Sequence, residues 1–140
     1  MPDAKQKFFD PRPESVGLAR EFAVTTLSSW GVYGATEDIR LCVSELAANA
    51  LVHGSDTEHG FLVKLDADED FVRVEVHDSR PRHRREPEIT QAAETDIAGR
   101  GLQIVASLAD GWGVEDRRPS GKIVWTLFKA ARRGGQARAC

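Results

Sequence analysis

Cysteine is scarce in this 140-residue chain, which holds only Cys42 and Cys140. That excludes a small secreted fold stapled by disulfides. Cys42 lies inside an apolar run and reads as a small core residue. No bridge to Cys140 is expected, which suits a reducing cytoplasm. No stretch approaches the ~20 apolar residues needed to span a bilayer, so no membrane partner is expected. Met1 to Glu14 carries charges and three prolines where a secretory signal would have an apolar block. Neither sign of charge dominates: 19 Lys+Arg stand against 22 Asp+Glu, a net charge of -3. That balance lacks the basic face of a nucleic-acid binder, so no nucleic-acid partner is expected. Also missing are an internal repeat, a Walker-type G-x-x-x-x-G-K-[ST] loop and an H-E-x-x-H zinc pattern.

What is present is an ordinary globular composition, 41% hydrophobic and 29% charged. The length predicts a single domain, assigned to residues 1–129, with a flexible basic tail over 130–140. Lys5 to Phe9 can form an edge strand, which Asp10-Pro11-Arg12-Pro13 breaks. Val16, Ala19, Ala23 and Leu27 recur at helical spacing, up to Gly31. A second helix is predicted from Glu37 to His53, with Thr36 as its N-cap and Gly54 at its far end. The period then changes to two at Phe61, Val63, Leu65 and again at Val72, Val74, Val76, which predicts a hairpin. A third helix is expected from Gly101 to Ala109, followed by strands over Trp112–Glu115 and Ile123–Phe128. This order predicts an α+β two-layer sandwich, with a mixed, mostly antiparallel β-sheet and helices on one face.

Three features invite chemistry. The run from Leu41 to Val52 is apolar except for Ser44, Glu45 and Asn49, and Glu45, Asn49 and His53 fall on one face, four residues apart. Such a stripe either meets solvent or holds a ligand, because a buried carboxylate and amide need partners. Asp78 ends a strand on the same face as three valines, where it can accept from an amino group in a deep pocket or simply shape a turn. Gly99-Arg100-Gly101-Leu102 stands just ahead of the third helix. Its glycines let backbone approach a phosphate or merely loosen a loop.

In this order, with Phe9 to Arg20 (F-x-P-x-P-x-S-V-x-x-A-R-like), Glu45 to Gly54 (E-L-x-x-N-A-x-x-H-G) and Gly121 to Trp125 (G-K-x-V-W), the sequence resembles the GHKL ATPase superfamily. Within it the chain looks most like anti-sigma-factor serine/threonine kinases and their actinobacterial relatives. The resemblance spans about residues 8–129 and implies the Bergerat, or histidine-kinase-like, ATPase fold.

It also implies roles for single residues. Glu45 would be the general base, and Asn49 would ligate magnesium on the phosphates of ATP. Asp78 would take the adenine amino group. Gly99, Arg100, Gly101 and Leu102 would line the phosphate end, and Thr126 would support adenine through water. Ser79 to Ala98 would form a lid. The implied function is an ATP- and Mg2+-using regulator that sequesters a sigma factor and phosphorylates a serine or threonine of a STAS-type anti-anti-sigma factor, with a homodimer as one assembly. The alternative is a non-catalytic nucleotide-binding or partner-binding module of the same fold. One departure bears on the choice: where the family often has D-x-G-x-G, Asp78 is followed by Ser79-Arg80-Pro81.

Overall fold

Alternation in two strands and helical spacing in three segments set the architecture seen in a computed structural model of the chain. The structure describes residues 3–51, 59–78, 97–117 and 121–132, with the backbone alone for 97–100. The elements run β1 (Asp3–Phe9), α1 (Glu14–Ser29), β2 (Val32–Tyr33), α2 (Thr36–Asn49), β3 (Phe61–Ala67) and β4 (Phe71–Asp78). After these come α3 (Ile97–Leu108), β5 (Gly111–Asp116), β6 (Lys122–Lys129) and β7 (Ala131–Arg132). Five strands form one sheet in the order β1-β3-β4-β6-β5, and β2 pairs with β7. Every pairing among the described residues is antiparallel. The expected two-layer α+β class is therefore observed.

Period-two patterning decides which sheet face is covered. Phe61, Val63, Leu65 and Ala67 of β3 are buried, as are Val72, Val74 and Val76 of β4, while the residues between them are half-buried. The buried face joins Ala19, Ala23 and Leu27 of α1 and Ile39, Val43 and Leu46 of α2 in one core. Each fully buried Leu or Ile contributes ~1.5–3 kcal/mol relative to exposure. Helix α2 is the central helix, packing against α1, α3 and β4. Acidic Glu37 and Asp38 in its first turn suit the positive helix end. Thr36, expected as the N-cap, is instead the first helical residue, and Ala35 takes the cap position.

Two further boundaries differ from the sequence expectations. Helix α3 starts at Ile97, so Gly99 to Leu102 lie inside its first turns instead of ahead of it. Ala131 and Arg132, placed by sequence in a flexible tail, form β7, and Arg132 donates to the Trp30 carbonyl at 3.0 Å and to Asp3 at 2.6 Å. His53, Gly54, the expected lid from Ser79 and the tail from residue 133 lie outside the described residues, apart from Ile97 and Ala98 of the lid, which begin α3. Among the described residues, no helix is long and apolar enough to cross a membrane.

The other sheet face carries a polar network. Arg73 lies over the Trp125 ring at 4.7 Å and contacts Glu75 at 2.7 Å, and His77 meets the other Glu75 oxygen at 2.7 Å. Burial pushes the Glu75 carboxyl up, but the bonds from Arg73 and His77 outweigh it and hold the group below its ordinary 4.5. A lowered folded-state value makes the stabilisation complete above the unfolded value and lost as pH falls through the folded one. Urea unfolding between about pH 6 and pH 3 is expected to show this acid-side loss, and Glu75→Gln should flatten it. An identical acid limb in the variant would remove Glu75 as its source.

Candidate functional site

The candidate residues form two groups, one between α2 and α3 and one at the paired ends of β4 and β6 on the covered sheet face. Glu45 and Asn49 project from α2 one turn apart, both half-buried. Ala50 and Leu51 continue the helix in a wider, π-type turn directly after Asn49, a distortion often found at functional sites. Helix α3 brings Gly101 against both side chains. A Cβ at that position would stand 3.0 Å from Glu45 Oε1 and 3.4 Å from Asn49 Nδ2. Only a glycine leaves that space open. Gly101→Ala should favour the helix by ~0.5–1 kcal/mol, yet crowd the two polar groups. Its thermal stability is expected to hold while nucleotide-dependent activity falls about tenfold; a melt and a turnover assay on one sample separate the two effects.

Asp78 ends β4 on the covered face and is 3% exposed. Its register partners are Phe61 on β3 and Lys122 on β6. Lys122 Nζ lies 3.6 Å from Asp78 Oδ2, so the buried carboxylate has a cation beside it. Sequence reasoning did not single out Lys122. Its signal was strand parity, because 122, 124, 126 and 128 share one face, but the pairing that brings it to Asp78 is long-range.

The other expected residues fall as follows. Glu45, Asn49 and Gly101 are brought together. Leu102 is half-buried and packs against the core. Gly99 and Arg100 lie in the first turn of α3, where backbone N–H groups have no partner within the helix. Thr126 is not brought to Asp78. It is fully buried beside Val74, whose carbonyl accepts from its hydroxyl at 3.4 Å. It lies four positions along β6 from Lys122, roughly 13 Å in a strand.

Cys42 points into the core close to this stripe. Burial, and then the charges of Asp38 and Glu45, push its thiol up to about 12, so it stays protonated and unreactive. Among the described residues no cluster of three or more His, Cys, Asp or Glu side chains is placed to hold a metal. Magnesium leans mainly on phosphates and water and needs only one or two protein oxygens. The carbonyl oxygen of Asn49, beside the space that Gly101 leaves open, fits that need. A cleft of about 730 Å³ lies elsewhere and is lined by Tyr33, Glu69, Phe71, Lys129 and Arg132. None of the site residues lines it, and the side-chain chemistry of Glu45, Asn49 and Asp78 locates the site.

Residues 9–128 match the family model of the histidine kinase-like ATPase domain. The fold is similar to the crystal structure of full-length ShkA in complex with AMPPNP, with a TM-score of 0.58 and 21% identity. The match covers 91% of this chain and 32% of the ShkA chain, so this chain spans about a third of that protein. At this identity the likeness is one of fold. No curated protein matches the chain.

Proposed function

The chain belongs to the histidine kinase-like ATPase domain family, and on that premise we propose that it is an ATP-binding regulator that phosphorylates a serine or threonine of a STAS-type anti-anti-sigma partner and sequesters a sigma factor. The observation that carries the reading is the placement of Glu45 and Asn49 together against Gly101. The buried Asp78 on the covered face of the sheet supports it, as does the AMPPNP bound in the ShkA structure. Asp78 accepts from the adenine amino group, and Asn49 offers its carbonyl oxygen to magnesium. Magnesium, when bound, offsets the charge of the phosphates and holds them for transfer. Glu45 takes the proton of the partner hydroxyl as that oxygen bonds the terminal phosphorus, leaving ADP.

A second reading, a non-catalytic nucleotide-binding or partner-binding module, is favoured by Ser79-Arg80-Pro81 in place of glycines after Asp78. Calorimetry with ATP and magnesium, followed by intact-mass analysis of STAS-type partners mixed with the chain and ATP, tests both. Saturable binding with a one-phosphate mass gain supports the kinase. Binding with neither transfer to any partner nor appreciable hydrolysis supports the module. No binding at all overturns the nucleotide reading.

A further inference from the structure

Asp78 and Lys122 together offer more than one acceptor for an amino group. They are direct register partners, so both side chains leave the sheet on the same face and at the same end. The ammonium is 3.6 Å from the carboxylate, a spacing beyond a good hydrogen bond. Lys122 is a quarter exposed where Asp78 is 3% exposed, so its side chain stands nearer the solvent. An ammonium has three N–H donors and no acceptor, and an ionised carboxylate only accepts. The pair therefore presents an acceptor and a donor side by side.

Adenine carries the complement on its six-membered ring: the N6 amino group donates, and the adjacent N1 accepts. We infer that Lys122 is a specificity-determining residue that donates to N1 of adenine while Asp78 accepts from N6. This rests on the nucleotide reading above and adds a second point of base recognition. A base of the opposite order is disfavoured. Guanine would set its O6 acceptor against the Asp78 carboxylate, and two facing acceptors repel. A site built to bond a ring nitrogen also rejects an analogue that lacks it, because the Lys122 ammonium then faces a C–H in place of an acceptor.

The test compares ATP with 1-deaza-ATP, in which a C–H replaces N1, by calorimetry on the full chain. The unmodified protein is expected to bind the analogue about tenfold or more weakly than ATP. Lys122→Met should bind both nucleotides alike, at the weaker level, and Lys122→Arg should restore the preference. The unmodified arm needs no substitution, so it decides even if Lys122→Met fails to fold for want of the cation beside its buried carboxylate. Equal binding of both nucleotides by the unmodified chain overturns the inference. Tighter ATP binding by Lys122→Met does so too, since Lys122 would then be only a counter-ion that the base displaces. If Asp78→Asn weakens ATP while N1 makes no difference, the nucleotide reading stands and this inference falls. If the unmodified chain binds no ATP, both fall.

Discussion

Glu45→Gln is expected to slow phosphotransfer to a partner serine by ~10²–10⁴-fold, the usual cost of removing a general base. The amide keeps the shape and the hydrogen-bonding reach of the carboxylate but does not take the hydroxyl proton. Because Glu45 lies on α2 one turn from Asn49 and against Gly101, the exchange leaves the packing of both helices intact. Nucleotide affinity should therefore stay within about twofold, since neither adenine recognition nor the magnesium ligand is touched. Asn49→Ala gives the opposite pattern, with magnesium-dependent binding itself weakened. Single-turnover transfer, followed beside ATP hydrolysis, separates the two. Transfer at the parent rate by the Glu45 variant would strip that residue of its role.

Asp78→Asn should weaken ATP binding by about ten- to a hundredfold. A hydrogen bond to a charged group is worth ~1.5–3 kcal/mol, and each 1.4 kcal/mol is a factor of ten. The burial of Asp78 is what makes the effect large, because water reaches neither the carboxylate nor the amide that replaces it. The variant also leaves Lys122 beside a neutral group, so some thermal stability is lost, and a melt taken with the titration measures that share. Affinity unchanged from the parent would rule Asp78 out as the reader of the base.

Most of the fold was legible because each element announces its own period. The β3–β4 hairpin alternates without interruption from Phe61 to Leu65 and from Val72 to Val76, and the structure follows it there and carries β3 on to Ala67. Helix α2 was legible for the same reason, since Ile39, Cys42, Val43, Leu46 and Ala47 mark one buried stripe. The start of α3 was not. Gly99 is a poor helix former, so the helix was expected only from Gly101, yet helical packing against α2 overrides that propensity and the helix begins at Ile97. Strands β2 and β7 are two residues each, too short to show alternation, and their pairing joins residues about a hundred positions apart. The stripe of Glu45 and Asn49 was visible as polarity inside an apolar helix. Lys122 was not, because only sheet register sets it beside Asp78, and Thr126 drew attention for a polarity that the Val74 carbonyl satisfies inside the core.

The strand order β1-β3-β4-β6-β5 has a consequence for how the molecule is made. Of these five strands β1 leaves the ribosome before the others and ends at an edge, while β6 follows both β4 and β5 and must enter between them. Until residues 122–129 emerge, β4 waits with one row of backbone donors and acceptors unpaired, and an open edge of that kind recruits other chains. The closing contacts join residues more than forty positions apart, a topology that folds slowly. A nascent or truncated chain ending before β6 would hold Asp78 beside Phe61 but without Lys122. Synthesis stalled in that interval leaves an aggregation-prone half-sheet instead of a smaller working domain.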